Sequence, residues 1–314
     1  MKQVTCLAWV PRGIPALKPR KAELNSNQLG DWEDTKSDAL TNMSSEDERF
    51  SDSDDTCADL ENSGDAENAI KVYNEAEDSY YPHHHYMLEE APLCIEHVIF
   101  NKDTRDKGNF CAVGTMDSAI ELWNLDVVEA IEPVAIFGIR NQSSETEKKK
   151  AKKISHENGV LSLTWNRILS HILASGSADF QIILWDIENQ LGSAVLSGHS
   201  DKVQSIKWHP TESSRLLSGD TSGVVKLWDA RESVCEKEWN EFNAEIERVA
   251  WNPWKSENFF VAASDGRLYN IDIRSGIVDV TEAHNGAVLD EESVAACGGE
   301  NGCKIVSWNI GSAA

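Results

Sequence analysis

Cations are scarce in this chain: 29 Lys and Arg stand against 53 Asp and Glu, for a formal charge of −24 over 314 residues. A balance so acidic argues against general affinity for nucleic acid, which needs several converging cations. Long hydrophobic runs are missing too. No stretch approaches the roughly 18 uncharged apolar residues of a membrane span. The opening Lys2–Val10 run is too short for a secretory signal and ends at Pro11. The seven cysteines, at 6, 57, 94, 111, 235, 297 and 303, form no Cys-x-x-Cys pair and no zinc spacing. The reading is reduced, mostly buried thiols in an intracellular protein. A P-loop, a dinucleotide fingerprint and a Gly-x-Ser-x-Gly elbow are also absent. The expectation is therefore no enzyme, no cofactor, no metal and no membrane.

What the chain has in excess is tryptophan, eleven in all. The stretches SHENGVLSLTWNRILSHILASGSADFQIILWDI and GHSDKVQSIKWHPTESSRLLSGDTSGVVKLWDA superpose at an offset of 43 residues. His156 then meets His199, Trp165 meets Trp208, Ser175 meets Ser218, and Trp185-Asp186 meets Trp228-Asp229. Trp251 continues the series, and Ile271-Asp272 falls where a third Trp-Asp pair would stand. Within a copy, short β-branched and aromatic runs are broken every eight to twelve residues by Gly, Pro, Asp and Ser, which predicts strands and leaves no room for a helix of three turns. A period near 43 in such strands points to an all-β propeller array.

On these residues, the chain from about 90 to 275 resembles a WD-repeat protein. The resemblance implies that His, Ser, Asp and Trp bond to one another inside each blade. Repeat 2 has all four, as His156, Ser175, Asp179 and Trp185. Repeat 3 keeps His199, Ser218 and Trp228 but places Ser222 where the Asp is expected; repeat 1 keeps Asp117 and Trp123, and repeat 4 only Asp265. Blades 1, 3 and 4 are accordingly expected to rely more on packing than on this network. His, Ser and Asp are also the residue types of a hydrolase triad. Their return at one period favours a structural role, since a repeat needs its internal bonds many times and an enzyme its triad once.

The flanks differ in character. Residues 4–10, VTCLAWV, in an N-terminal segment 1–19, read as a lone strand that completes a blade or docks on a partner. Residues 20–67 read as a disordered acidic tail, with fourteen Asp or Glu between 31 and 67 against Lys36 and Arg49. Ser44, Ser45, Ser51 and Ser53 lie among those acids as candidate sites for acid-directed kinases. The tail suits basic partners, or serves only solubility. Residues 68–310 are expected to form the propeller. Within it, 68–86 read as the last two strands of a blade, and the consecutive His83, His84 and His85 point to alternate faces of a strand and cannot all meet one ion. The 62 residues between Trp123 and Trp185 exceed the period, so a loop is inserted at 140–154. It carries Lys148, Lys149, Lys150, Lys152 and Lys153, a candidate nuclear-import signal, a patch touching nucleic acid, or simply a solvated loop, with import favoured in so acidic a chain. Only 24 residues separate His284 from Trp308, so the last repeat is compressed. Five to six blades are recognisable. Seven is the commonest count in the WD-repeat family, so the resemblance implies an incomplete ring or an abridged product.

The opening VTCLAWVPRG, the run IKVYNEAEDSYYPHHHY, FCAVGTMDSAIELWNLDVVEAIEPV, the lysine insert, and IERVAWNP with DGRLYNIDIRS together resemble the periodic tryptophan protein family. That resemblance implies a non-enzymatic nuclear and nucleolar scaffold, monomeric within larger complexes. Its implied roles are ribosome biogenesis, ribosomal RNA transcription and processing, and chromatin association, with histones, ribosomal proteins or assembly factors as partners. Direct RNA or DNA contact is left open. The alternative is a cytoplasmic WD-repeat adaptor such as a ubiquitin-ligase substrate receptor.

Overall fold

The computed structural model describes residues 20–21, 66–74, 79–100, 107–128, 130–138, 154–283, 296–299 and 302–305. Among them every regular element is a strand. The 4–10 segment, the four tail serines, the five insert lysines and the compressed repeat from His284 to its end, apart from two short strands, lie outside these residues.

The backbone divides into two compact units, the larger of which includes residues 90–126 and 132–314. It contains four antiparallel sheets of four strands each. Blade one comprises Pro92–Phe100, Lys107–Thr115, Ile120–Asn124 and Ala135–Phe137. Blade two comprises Val160–Trp165, Ile172–Ser177, Gln181–Asp186 and Leu191–Ser197. Blade three comprises Val203–Trp208, Arg215–Asp220, Val225–Asp229 and Val234–Trp239. Blade four comprises Ile246–Trp251, Asn258–Ala263, Arg267–Asp272 and Gly276–Glu282. Within each of these blades the strands pair in chain order, and from blade two onward a register shift falls just before the Trp position of the third strand, between Leu184 and Trp185, Leu227 and Trp228, and Asn270 and Ile271. Such a bulge adds local twist and re-aims the side chain that follows it. A hairpin of Ala296–Gly299 and Gly302–Ile305 also belongs to this unit.

Apolar side chains make separate cores between successive blades. Val160, Leu163 and Trp165 pack with Phe110, Ile120 and Phe137 of blade one, Val203, Ile206 and Trp208 with Ile182 and Leu184 of blade two, and Ile246, Val249 and Trp251 with Val225 and Leu227 of blade three. The first strand of each blade thus seats on its predecessor. Glycine makes the approach possible: a Cβ on Gly114 would come within 3.0 Å of Val160, one on Gly176 within 2.8 Å of Val203, and one on Gly219 within 2.4 Å of Ile246. Ile246 and Val249, the two neighbours of Gly219, are themselves buried and have nowhere to retreat. Gly219→Ala should therefore lower stability by about 1–3 kcal/mol by overpacking, read as a lower urea midpoint; an unchanged midpoint would mean the blades are not seated this closely.

The smaller unit spans 19–89 and 127–131. Ala66–Asn74 and Ser79–Leu88 form a two-stranded antiparallel sheet, and Arg20–Lys21 pairs in parallel with Val127–Val128. His83, His84 and His85 are successive residues of the second hairpin strand. Tyr86 is fully buried and its hydroxyl donates to the Val127 carbonyl at 2.8 Å.

Candidate functional site

In blades two and three the repeated polar residues converge at the end of the sheet where the second strand turns into the third. In blade two the Trp185 indole N–H donates to Ser175 Oγ at 2.7 Å, Ser175 Oγ lies 2.7 Å from His156 Nε2, and His156 Nδ1 lies 2.9 Å from Asp179 Oδ2. In the tautomer with the proton on Nδ1, the donors run from Trp to Ser to His to Asp. Asp179 also accepts the backbone N–H of Glu157 and of Gln181, which ties the loop carrying His156 to the second turn of the sheet.

Blade three makes the same chain, each link within 0.2 Å of its counterpart. Trp228 Nε1 donates to Ser218 Oγ at 2.8 Å, and His199 Nε2 lies 2.6 Å from that oxygen. The carboxylate, however, is Asp220, whose Oδ2 is 2.7 Å from His199 Nδ1. This corrects the expectation that Ser222 leaves blade three without its acid. Asp220 stands two residues after Ser218 and so projects from the same face of the strand. Its other oxygen accepts the N–H and hydroxyl of Ser222 and the N–H of Val224, so both carboxylate oxygens are engaged. Blade three is therefore braced by the full network and not by packing alone. The sequence signal was an acid at the strand's end, just ahead of the Thr-Ser-Gly turn.

Blade four replaces the network wholesale. Phe242, Val261 and Ile271 occupy the His, Ser and Trp positions and pack in one apolar cluster. Exchanging every partner of a buried hydrogen-bonded set for apolar groups costs little, whereas exchanging one would strand the others. Asp265 remains and accepts the Tyr269 hydroxyl at 2.8 Å. In blade one Val113 stands at the Ser position, and the Trp123 indole N–H turns instead to Glu121 at 2.9 Å; Asp117 caps its own turn through the Ser118 N–H.

Three further sets of residues that the repeat frame did not single out brace the blades. The aspartates of the Trp-Asp pairs, Asp186 and Asp229, and Asp272 in the same frame, accept backbone N–H groups of the following turn and hold it closed. The residue after each first-strand Trp, Asn166, His209 and Asn252, caps another turn, and the first two also reach to the next blade: Asn166 Nδ2 donates to the Ser213 carbonyl at 2.8 Å, and His209 Nε2 to that of Ser256 at 2.9 Å. Ser162 and Ser205 complete the bracing, their hydroxyl oxygens accepting the Ile206 and Val249 N–H groups one blade on. Each of these recurs at the 43-residue period, which was the available signal.

Burial pushes the Asp179 and Asp220 carboxyls upward, but the hydrogen bonds from His156 and His199, those from the turn residues, and the fields of the two imidazoles outweigh it and hold both below the usual carboxylate range. A carboxylate whose native value is depressed stabilises the fold fully above its unfolded value of about 3.9 and loses that contribution as pH falls through the native value. Thermal midpoints should then stay level from pH 7 to about 4 on account of these two groups and drop below it, with a shallower drop in Asp220→Ala. An equal drop in that variant would sink the assignment.

A triad mechanism finds no support in this geometry. Ser175 and Ser218 are fully buried, and each hydroxyl is held by an indole N–H on one side and an imidazole on the other. No substrate carbonyl can reach either oxygen. Among the described residues no group of three His, Cys, Asp or Glu could hold a metal ion, and no helix is long and apolar enough to cross a membrane.

Four successive four-stranded antiparallel blades, the last three spaced 43 residues apart and two of them braced by a buried His–Ser–Trp chain ending on an aspartate, are the architecture of a WD-repeat β-propeller. The WD domain, G-beta repeat family model matches residues 148–186 and 192–229. The chain is 40% identical over 119 residues to the periodic tryptophan protein 1 homolog of Drosophila melanogaster, covering 38% of this chain and 25% of that protein. It is 35% identical over 121 residues to periodic tryptophan protein 1 of Saccharomyces cerevisiae, covering 35% of this chain and 21% of that one. The alignments thus span a quarter or less of these relatives' lengths. The fold matches a chain in the crystal structure of the mitotic checkpoint complex with a TM-score of 0.54 and 22% identity, over 74% of this chain and 64% of that one. At that identity the match speaks for the fold alone.

Proposed function

We propose that this chain is a non-enzymatic scaffold of the nucleus and nucleolus that acts in ribosome biogenesis, in ribosomal RNA transcription and processing, and in chromatin association, as one subunit of larger complexes. The observation that carries the reading is the similarity to periodic tryptophan protein 1 in fly and yeast. A binding role suits the chemistry, because the polar residues that look catalytic are consumed in bracing the blades and the loops between strands are left to meet partners. The acidic stretch 31–67 would attract basic proteins such as histones or ribosomal proteins, more strongly once Ser44, Ser45, Ser51 or Ser53 is phosphorylated.

Affinity purification of the intact chain from nuclei, with mass spectrometry of the bound proteins, tests this. Ribosome-assembly factors and histones are expected; ubiquitin-ligase subunits in their place would favour the cytoplasmic adaptor. Import is tested by replacing Lys148, Lys149, Lys150, Lys152 and Lys153 with Gln in a fluorescent fusion, which should leave it in the cytoplasm.

A further inference from the structure

One position breaks the repeat in a way the blade does not need. The turn after Asp179 is left-handed, and at its equivalents in blades three and four the chain supplies glycine, Gly223 with φ 86° and Gly266 with φ 82°. In blade two the residue is Phe180, with φ 69°. A phenyl side chain in that region is strained, and Phe180 remains 42% exposed. Met116, 62% exposed, lies on the adjoining turn of blade one. The two turns are contiguous through Gly159, whose absent Cβ would come within 2.9 Å of the Met116 carbonyl and whose own carbonyl accepts the Ala178 N–H at 3.1 Å. Exposed carboxylates of the same loops flank this apolar pair: Asp117 follows Met116, and Glu157 donates its N–H to Asp179, the residue before Phe180. Further along the loops at this end of the blades, Glu241 and Glu245 are exposed as well.

We propose that Phe180 and Met116 form an apolar anchor for a basic peptide segment of a partner protein, with Asp117 and Glu157 receiving its cations. This deepens the scaffold reading and rests on it. An aromatic side chain desolvated on docking supplies the affinity, while the flanking carboxylates steer the encounter and weaken with salt.

The test uses a substitution that the fold should welcome. Phe180→Gly restores the residue type of blades three and four and should raise the thermal midpoint by about 2–4 °C, so loss of binding cannot be laid to unfolding. The probe is a fluorescein-labelled peptide of Lys, Arg and Gly with one central Leu, followed by anisotropy with the full chain. Phe180→Gly and replacement of the peptide's Leu by Gly should each weaken binding about tenfold, and Asp117→Asn with Glu157→Gln should flatten its salt dependence. Equal affinity for wild type and Phe180→Gly, no binding by wild type, or tighter binding of the same peptide with Glu at every cation would overturn the proposal. The nuclear purification judges the scaffold reading separately: wild-type chain that brings down ribosome-assembly factors but ignores the peptide would leave that reading standing and remove this anchor.

Discussion

Asp220→Ala is expected to lower stability by about 3–5 kcal/mol, because it removes one member of a buried, fully bonded set and leaves the others without acceptors. Asp220 and His199 are both buried, and the carboxylate serves His199 Nδ1 at one oxygen and the turn through Ser222 and Val224 at the other. Removing it strands an imidazole N–H and two backbone N–H groups at once. Ser222→Ala, by contrast, takes away a single hydroxyl bond of 2.7 Å and should cost about 1 kcal/mol. Equilibrium urea unfolding of the two variants separates the possibilities. If Ser222→Ala proved the more damaging, the network would run through the position that the repeat frame alone suggests, and the geometry given for blade three would be wrong.

Trp185→Ala should cost a similar amount, roughly 3–5 kcal/mol. The indole is 1% exposed, meets Phe137 of blade one with ring centroids 6.0 Å apart, and contributes the N–H that fixes Ser175. Its loss opens a cavity between two blades and leaves the Ser175 oxygen short of a donor, so the transfer and polar penalties add. Trp254, one turn beyond a first strand, is 62% exposed and provides the control: Trp254→Ala should stay within about 0.5 kcal/mol of wild type. Comparable losses in both variants would mean that tryptophan content, and not place in the frame, governs the effect.

Much of the architecture was legible because a blade is a local object. Its strands are short, its turns are written in Gly, Asp and Ser, and Trp165, Trp208 and Trp251 each close the first strand of a blade at the same interval. The blade-two network followed from the resemblance because all four residues stand in frame. Blade three was misread for a physical reason: frame position places a side chain along the chain, whereas hydrogen bonding depends on the face of the strand, and Asp220 shares that face with Ser218 although it sits two residues early. Glycine at 223 and 266 marks the same turn as left-handed, and the backbone dihedrals show that Phe180 adopts that conformation without being glycine.

By itself, the order of residues determined the strand-rich character, the 43-residue period and the residue types available for bracing, because alternation, turn chemistry and spacing are properties of neighbouring positions. Tertiary structure alone decided which atoms complete each network, which glycines let one blade close on the next, and which apolar side chains are left facing water. Those outcomes depend on distances between strands far apart in the chain, and such distances exist only once the blades have packed.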